Sequence, residues 1–234
     1  MLLEIESLAA GYGKGLVISD VSMSVNDREI VALIGHNGSG KSTTLKAVVG
    51  LVKPSLGHIR LLGRDITGHS TSEVVRSGVS VVPQGRGVFT NLSIDDNLLL
   101  ATYALRKNGK SPRERLDFVY EVFPVLKSRR KQTAGTMSGG EQQMLSLGMA
   151  LVTNPKLLVL DEPSVGLSPL LVQEVMQRIQ NINHQLGIGV LMVEQNVTQA
   201  LKIADRAYVL KLGRVSYQGS AIELRQQPNL WHLF

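Results

Sequence analysis

The chain has 234 residues, which at roughly 150 residues per domain suits one domain with a sizeable insertion. Hydrophobic residues make up 43% and charged residues 19%, which excludes a disordered, collagen-like or coiled-coil protein, and 4% aromatics leave little for stacking on single-stranded nucleic acid. Twenty-five Lys and Arg against 19 Asp and Glu leave a net charge of +6, suited to nucleic acid, anionic lipid or nucleotide phosphates without choosing among them, and zero cysteines exclude a disulfide framework, a Cys-ligated metal and a thiol nucleophile, in keeping with a reducing cytosol.

Met1 to Ser7 carries two glutamates and lacks the basic and apolar regions of a signal peptide. No uncharged apolar run reaches the roughly 18 residues of a membrane span, so any membrane link is expected to pass through a partner. The first stretch alternates over Leu2 to Leu8 and carries turn residues Gly11, Gly13 and Gly15, which predicts small antiparallel strands. Glu29 to Ile34 is β-branched and apolar, and a glycine-rich turn and the helical run Lys41 to Val49 follow it. Lys156 to Leu160 and Gly189 to Val193 are unbroken apolar runs of strand length, as expected of parallel strands covered on both faces. Between them Val172, Val175, Met176, Ile179, Ile182 and Leu186 recur at helical spacing after Pro169, predicting a crossover helix. The fold class is therefore α/β, with residues 86–154 as a helical insertion. That insertion carries Arg106, Lys107, Lys110, Arg113, Arg115, Lys127, Arg129, Arg130 and Lys131, interrupted by Glu114, Asp117 and Glu121; a solvated face is the plain reading, docking to a membrane protein or acidic lipid the sharper one.

Three segments carry chemistry. Gly35-His36-Asn37-Gly38-Ser39-Gly40-Lys41-Ser42-Thr43 fits G-x-x-x-x-G-K-[ST] between a strand and a helix. Its glycines let successive N–H groups face phosphate oxygens, and the helix adds its positive end. Lys41 is expected at the β/γ-phosphates, Ser42 on Mg²⁺ and Thr43 on a further phosphate oxygen, with His36 facing solvent. Asp161 and Glu162 end an apolar strand, where two carboxylates are costly unless ligated or paired. In a nucleoside triphosphatase Asp161 then holds the magnesium shell and Glu162 orients and deprotonates water. Ser138-Gly139-Gly140-Glu141 fits a capping box opening the helix of Met144, Leu145, Leu147 and Leu151. Two glycines in that first turn cost roughly 1 kcal/mol each relative to alanine, which suggests that a phosphate approaches the backbone there.

These segments together resemble the nucleotide-binding subunit of ABC transporters over essentially the whole chain. The resemblance implies a P-loop ATPase fold with a RecA-like core and an antiparallel β part, formed by residues 1–85 and 155–234, and a helical subdomain at 86–154. It implies ATP and Mg²⁺ as cofactors, and a homodimer, or heterodimer with a sister ABC ATPase, in which Ser138, Gly139, Gly140 and Glu141 close over the partner's γ-phosphate. It makes Tyr12 the aromatic that stacks on adenine and Gln84 the glutamine that senses Mg²⁺ and water. Integral membrane permease subunits, and through them a periplasmic or extracellular substrate-binding protein, are the implied partners; the location is the cytoplasmic face of the cell membrane, and nucleic acid is not expected.

Pro83-Gln84-Gly85-Arg86 with Phe89, Asp161 to Ser164 followed by Gly166-Leu167-Ser168-Pro169, and Val193-Glu194-Gln195-Asn196 are similar to the LivF-type subunit of branched-chain amino acid importers. The urea importer's subunit is nearly as similar. Three positions depart from the general pattern. Met137 and Glu141 stand where leucine and glutamine are commoner, Ser168 replaces an aspartate, and Gln195 replaces a histidine at the γ-phosphate. A neutral amide donates a hydrogen bond but gains no full charge, so Gln195 positions and Glu162 is the base. A soluble ABC ATPase acting on a cytosolic or nucleic-acid complex, or a kinase using the same loop, remain as alternatives.

Overall fold

A computed structural model describes residues 1–13, 15–85, 87–103 and 111–227. Arg86, Arg106, Lys107 and Lys110, singled out above, lie outside these residues. Among the described residues ten strands form two sheets. Strands β1 (Leu3–Tyr12), β2 (Gly15–Val25), β4 (Leu56–Leu61) and β5 (Arg64–Asp65) build an antiparallel sheet in the order β2-β1-β4-β5. Strands β3 (Ile30–Ile34), β6 (Val79–Val82), β7 (Leu157–Asp161), β8 (Gly189–Glu194), β9 (Arg206–Lys211) and β10 (Arg214–Ser220) build the second, ordered β10-β9-β3-β8-β7-β6. All its pairings are parallel except that of β9 with β10.

The unbroken apolar runs have the cause expected of them: both faces of this sheet are covered. Ala32 and Ile34 of β3, Leu158 and Leu160 of β7, and Val190 and Met192 of β8 join one core with helices α6 (Gly139–Leu151) and α7 (Pro169–Leu186). The alternate residues Val31, Leu33, Val159, Leu191 and Val193 join a second core with helix α1 (Lys41–Val48) and the antiparallel sheet. Along α7 the apolar positions Val172, Val175, Met176, Ile179 and Ile182 are buried, while Leu186 is only half-buried. Strand β3 begins one residue later and α1 ends one residue earlier than expected, and β7 extends to include Asp161.

Between β6 and β7 the described residues form α3 (Ile94–Thr102), α4 (Pro112–Val122), α5 (Pro124–Ser128), a 3-10 turn at Ala134–Thr136 and α6. Elsewhere α2 (Thr71–Arg76) precedes β6, α8 (Val197–Ile203) follows β8 and α9 (Ala221–Gln226) follows β10. The parallel strands point their carboxyl ends the same way, and in such a sheet the crevice beyond those ends is where ligands bind. The phosphate loop follows β3, Gln84 follows β6, Asp161 ends β7 with Glu162 next, and Glu194 ends β8 with Gln195 next.

Candidate functional site

The phosphate loop turns where its sequence demands. Gly40 has φ 108°, a left-handed conformation, and a Cβ there would lie 2.5 Å from the Ile18 methyl, so only glycine fits. No side chain caps α1, and its first turn carries no acidic residue. The N–H groups at this end therefore stay available to an anion. His36, Asn37 and Gly38 face solvent, whereas Ser39, Gly40, Lys41 and Thr43 are buried and Ser42 is half-buried. A cleft of about 230 Å³ opens beside the loop, walled by His36 to Ser39 and Leu210 to Leu212. Lys41, only 4% exposed, donates from Nζ to the Gly35 carbonyl at 2.8 Å and the His36 carbonyl at 3.0 Å. Burial lowers its pKa, against the upward pull of Glu162, Asp161 and Glu194. The ammonium is thus folded over its own loop, next to three carboxylates.

Tyr12, at the end of β1, leaves its ring 53% exposed, with the Lys46 ammonium 6.0 Å from its centroid. A flat exposed face beside the phosphate loop's helix can take a base. Lys46 also pulls on Asp161, a role nothing in its sequence context announced.

The carboxylate pair splits into two environments. Asp161 is 8% exposed, and its Oδ1 has no hydrogen-bond partner. Burial, then the charge of Glu162, raises its pKa, with Lys46 and Lys41 opposing. Glu162 is 5% exposed but fully engaged: Gln84 Nε2 donates to Oε2 at 2.9 Å and Gln195 Nε2 donates to Oε1 at 2.5 Å. Its backbone has φ 49°, a left-handed conformation costing about 1–3 kcal/mol for a residue with a Cβ. The Glu162 N–H donates to the Val193 carbonyl at 2.9 Å, which holds the turn against β8. Gln84 and Gln195, expected at Mg²⁺ and the γ-phosphate, are thus both placed on Glu162.

The serine-glycine-glycine turn stands apart from this cluster. Ser138 Oγ accepts from the Glu141 N–H at 3.4 Å, and Glu141 Oε2 accepts from the Ser138 N–H at 2.9 Å, completing the expected capping box. The Ser138 N–H holds the Glu141 carboxyl below its ordinary pKa. The other Glu141 oxygen accepts from Arg129 Nη1 at 2.5 Å, so one residue of the basic run serves the turn. A Cβ at Gly140 would lie 2.7 Å from Leu171 Cδ2, the end of a half-buried side chain that can turn aside. Ser138 itself is exposed.

Sequence reasoning gave no role to three residues that the structure buries, two of them at the site. Glu194 is fully buried at the end of β8, and Ser164 is buried in the turn after β7. Asn97, 0% exposed, accepts from the Phe89 N–H at 2.7 Å and donates to the Phe89 carbonyl at 3.0 Å, fixing the segment that follows Gln84. An acid closing an otherwise apolar strand was the available signal for Glu194. Among the described residues no helix is long and apolar enough to cross a membrane.

This geometry can be set beside known proteins. The ABC transporter family profile matches residues 18–165. The high-affinity branched-chain amino acid transport ATP-binding protein BraG of Pseudomonas aeruginosa is 43% identical, covering 98% of this chain and 97% of its own. The probable branched-chain amino acid transport ATP-binding protein LivF of Archaeoglobus fulgidus is 40% identical, covering 95% and 94%. Among solved structures, the ADP conformation of an ATP-binding cassette of an ABC transporter superposes with a TM-score of 0.88 at 25% identity, over 99% of this chain and 97% of the other. Fold, motif set and full-length likeness agree: the chain belongs to the ABC transporter family, as one of its nucleotide-binding, ATP-hydrolysing subunits.

Proposed function

We propose that this chain powers an importer of branched-chain or other neutral amino acids from the cytoplasmic face of the membrane, with Glu162 as the general base of ATP hydrolysis. The substrate class rests on the two relatives named for branched-chain amino acid transport, each matching almost end to end. The chemistry rests on one observation: a buried carboxylate at a strand end, both oxygens held by amides, facing the loop that binds phosphate.

In this reading residues 1–85 and 155–234 form the nucleotide-binding core and 86–154 the helical subdomain that meets the permease. Tyr12 stacks on adenine. Residues Gly35 to Gly40 present backbone N–H groups to the phosphates, and Lys41 swings from its two carbonyl partners to the β/γ-phosphates. Ser42, Gln84 and Asp161 offer an oxygen donor set that suits Mg²⁺, and the unpartnered Oδ1 of Asp161 is the atom most in need of one. Bound there, Mg²⁺ neutralises phosphate charge. Glu162 takes a proton from the attacking water once Gln84 releases an oxygen, and Gln195, still bound to Glu162 through one N–H of its amide, donates the other to the γ-phosphate. A second copy or a sister ATPase supplies Ser138, Gly139, Gly140 and Glu141 over the phosphate tail.

Glu162→Gln keeps the shape and removes the base. Turnover is expected to fall about 10²–10⁴-fold while ATP binding persists, measured by phosphate release and equilibrium binding. Turnover at the wild-type rate would remove Glu162 from the role. For the substrate, chain purified with its membrane subunits and placed in vesicles should hydrolyse ATP faster with leucine-loaded binding protein than with urea-loaded binding protein.

A further inference from the structure

A fully buried carboxylate lies beside the proposed base and takes no part in the chemistry just described. Glu194, 0% exposed at the end of β8, receives three backbone N–H groups from two different turns. Its Oε1 accepts from Ser164 N at 2.9 Å, in the turn that follows Glu162. Its Oε2 accepts from Gln195 N at 3.1 Å and Asn196 N at 3.3 Å. Gln195 in turn donates from its side chain to Glu162 at 2.5 Å. The result is a closed ring: Glu162, the turn to Ser164, Glu194, Gln195, and back to Glu162.

Burial raises the Glu194 pKa, and the Ser164 hydroxyl, then the N–H groups of Ser164, Asn196 and Gln195, oppose that rise, so the ring is what makes a carboxylate tolerable there. A buried acid is expensive unless its oxygens are satisfied. A backbone carbonyl could satisfy one turn. Only a carboxylate, with two acceptor oxygens and no donor, accepts from both turns at once. Its charge also reaches Lys41, tying the clamp electrostatically to the phosphate loop.

We propose that Glu194 is a positioning residue for hydrolysis: it clamps the turns after β7 and β8 together and so fixes Gln195 against Glu162. The proposal builds on the reading of Glu162 as base. Glu194 is fully buried and acts through Gln195 and Ser164. In Glu194→Gln the amide nitrogen must face one of the N–H groups, so one turn loses its acceptor and the ring opens.

The test is a double-mutant cycle in the full chain, reading kcat and KM for ATP in wild type, Glu194→Gln, Gln195→Ala and the double variant. Glu194→Gln should lower kcat about 10-fold or more, since small misplacements of a reacting group are costly, with KM changed less than about twofold. The double variant should be no slower than the slower single one, because both lesions break the same ring. Strictly multiplicative losses, an unchanged kcat, or a loss confined to KM would each overturn the clamp. Should Glu194→Gln fail to fold, Glu194→Asp keeps the charge and should show the same kcat-selective loss to a smaller degree. In the unaltered, nucleotide-free chain, amide hydrogen exchange should find Ser164, Gln195 and Asn196 protected together; rapid exchange at Ser164 or Asn196 would refute the ring outright. Failure of the base reading is separate, because it would show as turnover surviving in Glu162→Gln with the ring intact.

Discussion

Two helix starts in this molecule are built in opposite ways. Helix α1 opens on Gly40, without a side-chain cap and without an acidic residue in its first turn. Helix α6 opens on Ser138 with a complete capping box, Glu141 in its first turn and Arg129 bound to that glutamate. A free helix start carries unsatisfied N–H groups and a partial positive charge. At α1 these are left for a ligand; at α6 they are partly spent on the protein's own side chains. The first end is left open to an anion, and the second is closed by the chain's own side chains.

The largest effect expected of this contrast lies at α1. Lys41→Ala should lower ATP turnover about 10²–10³-fold, the usual cost of losing one charged donor from a phosphate site, and weaken nucleotide binding. If nucleotide affinity and rate stay unchanged, the grip assigned to this end is mistaken. Next comes Ser138→Asp, which keeps a good N-cap and places a negative charge where the partner's phosphate would approach. Melting temperature should hold within about 1 °C, while turnover should fall about 10-fold, near 1.4 kcal/mol. A drop in melting with normal turnover would make Ser138 a cap and nothing more.

A smaller effect concerns the unpartnered acid facing α1. Asp161 has a raised pKa, so its folded-state contribution is most favourable below the unfolded carboxylate pKa and is lost as pH rises through the folded value. At neutral pH the ionised group therefore costs stability in the nucleotide-free chain. Asp161→Asn should raise stability by about 1 kcal/mol, or about 2–4 °C in melting temperature, at pH 7.5. The gain should shrink as the pH falls and the wild-type acid takes its proton, and turnover should be lost at every pH. Least of all, Arg129→Gln should cost under about 0.5 kcal/mol, since the Arg129 side chain is half exposed and solvent screens the pair. A melting shift above about 3 °C would show the ion pair to be the anchor of the α6 start.

How much could be read in advance follows from how far apart the cooperating residues lie. The phosphate loop, the Ser138 cap and the Asp161–Glu162 strand end are each contiguous, and each appears in the fold with the local structure its spacing predicts. Strands β9 and β10 drew no expectation, because charged residues at Arg206, Lys211 and Arg214 break the apolar run. Arg206 nevertheless belongs where it is: its guanidinium pairs with Glu29 at 2.5 Å and donates to the Ser24 carbonyl at 2.9 Å. Glu194 was visible only as a letter in a motif.

By itself the sequence determined the α/β class, the glycine-rich loop before α1, the carboxylate pair and the capped turn, because each depends on neighbours within a few positions along the chain. Tertiary structure alone decided that Gln84 and Gln195 meet on Glu162, that Arg129 holds Glu141, and that Glu194 closes a ring through Ser164. Those contacts join the ends of β6, β7 and β8 and the start of α6, segments separated by 12 to 78 positions for the pairs named. Spacing along a chain carries no record of such meetings; strand order and burial create them.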